Sequence, residues 1–436
     1  MTLFSRLFGA AKQRISGSAV RNFSLLTVEK VIRSVVSVLV GAWVLRYLGP
    51  ERSGSISYLV ANLTILGVVV KLGLDSIILR DVNLKPEKRG VLLGTALSLQ
   101  AVVCVLVFCG WTCAAIVFSQ SRVDLLLSLI LSLMLLAQPL EVFELWFQGT
   151  GRIEKAVLAR VTSLIVLSVL RICAILSGFG ILVFAGALTV EKWFAGVLNY
   201  MFFWRARTFK FQVRREYGGV LLRESWPYLL SGLAVTLYMR VDQVMLGTML
   251  DKRSVGIFYA AVSLCEALYF LPMAINTSIF PILTRLRLED EDRYERIMMQ
   301  YCNLTLVYSI LITVVVWFLA PVVIRLLFGV HYAESTDVLR TYILSFSFVC
   351  SGVAQSVWFI NNHRGDVLLK KAIAGLVTNV LLNLYLIPRF GPNGAAWSTV
   401  VSQFVAVYVS NLVFDRRFVL MEMRSLIAWL FYFFRV

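Results

Sequence analysis

The chain has 436 residues, 59% of them hydrophobic, a mean hydropathy of +0.80 and a formal net charge of +17. A water-soluble domain cannot hide that much apolar surface, which excludes a soluble enzyme or soluble receptor. Positive charge alone would suit nucleic acid, but here it is sorted by side of a membrane rather than gathered into a patch.

In chain order, residues 1–18 come first. Leu3, Phe4, Leu7, Phe8 and Ala11 alternate with Arg6, Lys12 and Arg14 as in an amphipathic helix lying on a membrane surface. Twelve apolar stretches follow, each read as a span: 22–47, 55–79, 91–118, 125–147, 156–178, 181–204, 226–249, 256–283, 299–327, 339–360, 372–388 and 394–414. A bilayer core needs about 20 helical residues, and only 372–388 is short. The predicted organisation is an N-terminal lobe over 19–204, a basic cytoplasmic linker over 205–225, a C-terminal lobe over 226–414 and a cytoplasmic tail over 415–436. The linker holds Arg205, Arg207, Lys210, Arg214, Arg215 and Arg223. The tail segment 418–434 is apolar but contains Glu422 and Arg424, so it reads as an interfacial helix rather than a thirteenth span.

Of the 42 Lys and Arg, 27 fall on the side of both termini, 8 on the other side and 7 inside spans, with Arg46, Arg325 and Arg340 at span ends counted on the outer side. That bias places both termini in the cytoplasm. All seven cysteines (Cys104, Cys109, Cys113, Cys173, Cys265, Cys302 and Cys350) lie within spans and read as small apolar residues, and His331 and His363 are far apart. Neither a disulfide framework nor a metal centre is expected.

The two halves repeat. Shifted by 201 residues, Leu48–Leu63 falls on Met249–Leu264, with Arg52/Arg253, Ser53/Ser254, Ile56/Ile257, Tyr58/Tyr259 and Leu63/Leu264 identical. Both segments join the first two spans of a half, so the halves share one orientation and are related by an axis along the membrane normal. Parallel repeats of this kind build transporters that rock around a site between them.

The charges inside spans are the candidate site. The cations are Lys30, Arg33, Lys71, Arg160, Arg171, Lys192 and Arg240; the acids are Glu29, Asp75, Glu141, Glu144, Glu191, Asp242 and Glu266. Each costs about 2.5–3.5 kcal/mol or more at mid-bilayer if it faces lipid. All fourteen lie in the first eight spans, so spans 9–12 are expected to be peripheral. Helical spacing puts Lys71 four residues before Asp75 and Glu29 four before Arg33, and brings Arg160 and Arg171 to nearly one face. Six of the seven cations are in the first half. A cationic surface at that depth suits an anionic ligand, and the planar fork of Arg matches phosphate oxygens. Mutual pairing that merely fixes the bundle is the competing reading. Prolines Pro139, Pro272 and Pro321 are expected to bend spans 4, 8 and 9.

Several motifs occur in a fixed order: Arg46-Tyr-Leu-Gly-Pro-Glu-Arg-Ser-Gly54, Trp226-Pro-Tyr-Leu-Leu-Ser-Gly232, Met239-Arg-Val-Asp-Gln-Val-Met-Leu-Gly247, Val255-Gly-Ile-Phe-Tyr-Ala-Ala261, Leu271-Pro-Met-Ala-Ile275 and Phe390-Gly-Pro-Asn-Gly-Ala-Ala396. Through them, residues 20–414 resemble Wzx-type polysaccharide flippases of the multidrug/oligosaccharidyl-lipid/polysaccharide exporter superfamily. The resemblance implies an all-α polytopic protein of the bacterial inner membrane, with two six-helix lobes forming a V and working by alternating access. It implies undecaprenyl-pyrophosphate-linked oligosaccharide as substrate, moved from the cytoplasmic to the periplasmic leaflet. No cofactor is implied, only coupling to a proton or sodium gradient. Membrane lipids, a polysaccharide polymerase and a chain-length regulator are the expected partners, and nucleic acid is not. Asp242 matches the acid typical of span 7 in that family. On this reading Lys30, Arg33, Lys71, Arg160, Arg171, Lys192 and Arg240 bind the substrate, while Asp242, Glu266, Asp75, Glu141 and Glu144 are ion-coupling candidates.

Three rivals stand beside it. A lipid II flippase of the related peptidoglycan branch usually has two extra spans, which are missing here. A multidrug exporter of the same superfamily should favour acidic, aromatic sites. A membrane polysaccharide polymerase or ligase would need a sizeable outer loop, and the largest here, near 328–338, carries a lone His331.

Overall fold

The computed structural model describes the backbone of residues 17–434 apart from 120 and 208, and side chains over 29–425. The surface helix expected over 1–18 lies almost wholly outside the described residues. The described chain is helical and contains no strand. Its helices are α1 (Gly17–Lys71), α2 (Leu74–Leu84), α3 (Arg89–Phe118), α4 (Arg122–Ala137), α5 (Glu141–Gly149), α6 (Ile153–Leu176), α7 (Ile181–Ala206) and α8 (Arg215–Met249). There follow α9 (Lys252–Leu268), α10 (Phe270–Glu289), α11 (Glu291–Leu327), α12 (Ser335–Tyr342), α13 (Leu344–Asn361), α14 (Gly365–Phe404), α15 (Ser410–Phe414) and α16 (Arg416–Phe434).

Ten helical runs among the described residues are long and apolar enough to cross a membrane, which makes this a multi-pass membrane protein. Two of the ten are folded over. Gly49 (φ 76°, ψ 170°) interrupts α1, and Gly391 (φ 57°, ψ −137°) interrupts α14. Each precedes a proline, Pro50 or Pro392, which starts the next limb with φ already set and no N–H to leave unpaired. Counting both limbs recovers the twelve spans read from hydropathy. Of the three prolines expected to bend spans, Pro139 lies in a 3-10 turn between α4 and α5, and Pro272 follows the break at Tyr269. Helix α11 runs through Pro321 without a break.

The chain divides into two compact units, Val28–Gly256 and the residues from Ile257 onward, to which 17–27 also belong. The first unit thus includes α8. Phe143, Trp146, Phe147 and Phe203 form its aromatic core, with Phe209 and Phe211 packed on them from the segment before α8. That segment is pinned: Gln212 N donates to Gly90 O (3.1 Å), and Arg214 N donates to Thr95 Oγ1 (3.2 Å). Glycine at 90 and 94 is required there, because a Cβ at either would run into the backbone of Lys210 or Gln212. The basic stretch is therefore a short docked strap, with Arg215 and Arg223 already on α8.

The repeated turns meet within this unit. A Cβ at Gly54 would land on Lys252 O, and one at Gly256 on Pro50 O, so two backbones touch where side chains normally intervene.

In the unit from Ile257 onward, Tyr294, Trp358, Phe359 and Val367 form a core that also takes in Phe418 of α16, fully buried. The tail helix is docked rather than simply interfacial: Asp415 accepts from Trp358 Nε1 (3.3 Å) and pairs with Arg364 (2.8 Å), and Glu422 accepts from Gln355 (3.2 Å).

At the α2 end of the first unit, beyond the span, Asp81 is buried between Arg80 (2.5 Å) and Lys85 (2.8 Å), while Arg80 also reaches Glu224 on α8 (2.9 Å). The hydrogen bond from Arg80, reinforced by Lys85, holds the Asp81 carboxyl below its ordinary value. A lowered native pKa gives stability that is present above the unfolded-chain value of about 3.9 and is lost as pH falls through the native one. Asp81→Asn is expected to cost about 2 kcal/mol at pH 7 and to flatten the acid limb of stability. Thermal unfolding of the detergent-solubilised protein from pH 7 down to pH 3 checks both.

Candidate functional site

Two spans of the Val28–Gly256 unit break at the charges. Helix α1 ends at Lys71, and Leu72 (φ 55°) and Gly73 (φ 68°) turn the chain through left-handed backbone before α2 starts at Leu74. For leucine that conformation costs about 1–2 kcal/mol. Gly73 has no alternative, since a Cβ would collide with the backbone of Ser225 and Leu229 on α8. The carbonyl of Lys71 freed by the break accepts from Gln100 Nε2 (3.1 Å). The other break is the 3-10 turn Gln138–Leu140, after which α5 starts at Glu141.

The charges sit where the helix dipoles favour them. Lys71 is in the last turn of α1, Asp75 in the first turn of α2, and Glu141 and Glu144 in the first turn of α5. Around these breaks the structure assembles three networks. Lys71 pairs with Glu141 (2.7 Å) and Asp75 (3.3 Å), and Lys192 reaches Glu141 (3.6 Å). Glu29, buried, pairs with Arg33 (3.1 Å) and Arg160 (3.2 Å); Arg160 also pairs with Glu144, which accepts from Gln148 (2.9 Å). Arg171 pairs with Glu191.

Each network balances: two cations with two acids, two with two, and one with one. The lopsided count of cations in the sequence therefore does not become an uncovered positive surface. Lys30 alone of the six first-half cations joins none of the ion pairs seen among the described residues, and it is exposed. The networks differ in access. In the first, Lys71, Asp75 and Glu141 keep about a third of their side-chain surface and Lys192 keeps 54%, whereas Arg160 and Arg171 keep 16% and 13%. Asp242 is buried and Arg240 half-buried on α8. Glu266 is half-buried on α9, in the other unit.

One expectation is overturned. The last four spans are not free of charge: Lys371, read as a loop residue one position before a span, is buried on α14. It donates to Asn411 Oδ1 (2.7 Å) and Gln355 Oε1 (3.1 Å). The helix begins at Gly365, so the lysine lies nearly two turns inside it. Further along α14, Asn379 and Asn383 are fully buried and Asn383 Nδ2 donates to Asn379 Oδ1 (3.0 Å). A search restricted to charges passes over such amides, and over Gln100 and Gln148. Among the described residues, no group of three or more His, Cys, Asp or Glu is placed to hold a metal ion.

This arrangement of broken, charge-bearing spans belongs to a known class of membrane transporter folds. The chain aligns with the solved structure of the lipid II flippase MurJ in an inward closed conformation at a TM-score of 0.73 and 14% identity, covering 94% of this chain and 90% of that one. It aligns with an inward-facing multidrug resistance MATE family transporter at 0.71 and 17% identity, covering 90% and 96%. At these identities the likeness establishes the fold. The polysaccharide biosynthesis protein model matches residues 19–287, and the lipid II flippase MurJ model matches 208–434. The chain belongs to the polysaccharide biosynthesis protein family, within the multidrug/oligosaccharidyl-lipid/polysaccharide exporter superfamily. It is 25% identical over 184 residues to a putative O-antigen transporter of Shigella dysenteriae, covering 42% of this chain and 45% of that protein. The chain spans about half the length of the curated relatives it matches.

Removing a carboxylate from a buried pair strands its partner, whereas an exposed pair is worth little. Glu29→Gln is expected to destabilise the protein by about 3 kcal/mol, and Lys192→Ala by less than about 1 kcal/mol. Paired thermal-unfolding curves in one detergent test the contrast; equal losses would show that burial does not rank these networks.

Proposed function

We propose that this protein is a flippase for lipid-linked oligosaccharide, carrying undecaprenyl-pyrophosphate-linked repeat units from the cytoplasmic to the periplasmic leaflet of the bacterial inner membrane. The observation that carries the reading is the half-exposed network of Lys71, Lys192, Asp75 and Glu141 at two broken spans. Family membership and the likeness to a putative O-antigen transporter support the same substrate class.

A pyrophosphate cannot cross hydrocarbon bare. Lys71 and Lys192 offer it ammonium groups already held at membrane depth by carboxylates. An entering diphosphate displaces Glu141 and Asp75 from them, so the cost of holding those cations is met in the empty state. Arg33, nearly half exposed beside Glu29, extends the path. Arg160, Arg171 and Arg240 act with them on phosphate or acidic sugars. Carboxylates released this way can take up protons, which links substrate entry to an ion gradient; Asp242 and Glu266 are the further coupling candidates. The positive-inside bias puts both termini in the cytoplasm. Nothing in this scheme makes or breaks a covalent bond, so the role is transport rather than catalysis.

One observation favours a second reading. Because every network is neutral, with as many carboxylates as cations, the site would also accept an organic cation at Glu141 or Asp75, as a multidrug exporter requires.

Cells lacking the chain are expected to accumulate repeat units on the cytoplasmic leaflet and to lose surface glycan. Wild type should restore export. Arg171→Glu should abolish it, and Arg171→Lys should retain a part. Normal glycan export in the deleted cells, with raised sensitivity to cationic drugs, would decide for the multidrug reading.

A further inference from the structure

A cavity of about 890 Å³ opens within the Val28–Gly256 unit, at the helix ends opposite the Asp81 cluster. It lies where the limbs of α1 fold over, where α3 gives way to α4, and where α8 ends. Its lining includes Tyr58, Trp111 and Asn62, the acids Glu51, Asp124 and Asp251, and the cations Lys252 and Arg253. The volume is that of a site for a sizeable organic ligand.

The lining is held in place. Trp111 Nε1 donates to Ser128 Oγ (3.0 Å), fixing the indole plane. Asn62 Nδ2 donates to Tyr58 O (2.8 Å), leaving its amide oxygen uncommitted by that bond. Ser121 caps α4 by accepting from Asp124 N (3.1 Å) and donates to Asp124 Oδ2 (2.7 Å), and Asp251 Oδ1 accepts from Ser254 N (2.6 Å), so each carboxylate is oriented through one oxygen. Tyr58 seats against Gly247, where a Cβ would strike the ring, and its face carries the Lys252 ammonium 3.3 Å from the centroid.

A flat aromatic face, here Trp111, beside oriented carboxylates and an amide is what a pyranose ring requires. Its C–H face packs on a ring, and its neighbouring hydroxyls donate to paired oxygens. Three acids against the two cations Lys252 and Arg253 leave the lining net acidic, so phosphate is expected with the deeper cations instead. Tyr58 lies thirteen residues before Lys71 on the same limb, about 20 Å away along the axis. A diphosphate at one end and a short sugar chain reaching the other fit that separation. Resting on the flippase reading, we propose that this cavity is a carbohydrate-binding vestibule that receives the sugar portion of the lipid-linked substrate, with Trp111 as the stacking platform and Glu51 and Asn62 as hydroxyl acceptors.

The test is calorimetric binding to the full chain in nanodiscs. The probes are the lipid-free oligosaccharide released by mild acid from the cells' own polyprenyl-linked glycan and, separately, inorganic pyrophosphate. Wild type is expected to bind the oligosaccharide; Trp111→Leu should weaken it about ten-fold, and Glu51→Gln, at an exposed position that spares folding, should weaken it measurably. Pyrophosphate binding should not change in either variant. Unchanged oligosaccharide affinity in both variants, or no binding to wild type, would overturn the vestibule. If deleted cells trap glycan while both variants bind oligosaccharide normally, the vestibule alone fails. If oligosaccharide binding depends on Trp111 but deleted cells export glycan normally, the vestibule stands and the flippase reading fails.

Discussion

A charge at membrane depth must have a countercharge, and the Val28–Gly256 unit is organised around that requirement. Glu29, Glu141, Glu144 and Glu191 each answer a cation from another span or another turn. The breaks in the spans serve the same requirement. Ending α1 at Lys71 and placing acids in the first turns of α2 and α5 lets the free peptide groups at those helix ends reinforce the side chains instead of opposing them. Strain at Leu72 and the collision-free glycine at 73 are accepted because the alternative is an unbroken helix with a lysine facing hydrocarbon.

Pairing also changes what a cationic site means. Five of the six first-half cations are satisfied without ligand, so under the proposed function binding would be an exchange of anions rather than the filling of a positive void. Exchange is selective in a way that a bare charge is not: the newcomer must offer more to Lys71 and Lys192 than Glu141 and Asp75 already do. A diphosphate, with several oxygens and more charge, meets that condition, and a chloride ion does not.

Much of this was legible in the amino-acid sequence. Apolar length alone located the spans, because hydrocarbon thickness sets one scale for all of them. Spacing of four paired Lys71 with Asp75 and Arg33 with Glu29. The partnerships across spans were not legible: Lys71 with Glu141, and Arg160 with both Glu29 and Glu144, depend on tertiary packing that no spacing encodes. Pro139 announced one break, but Gly73 was one glycine in an apolar run, and its role comes from contact with α8. Lys371 was assigned to a loop because hydropathy falls before the helix does; a polar first turn followed by a buried lysine looks, in sequence, like a loop end. The aromatic cavity was invisible because its walls come from three separated segments.

The meeting of the two repeated turns has a mechanical meaning. Gly54 faces Lys252 and Gly256 faces Pro50, so main chain meets main chain at these two points, beside the Lys252 ammonium on the Tyr58 ring. Interlocked side chains must change rotamer before two helices can part, and that sets a barrier. Smooth backbones need no such change. The tightness of this crossing depends on the absence of two methyl groups.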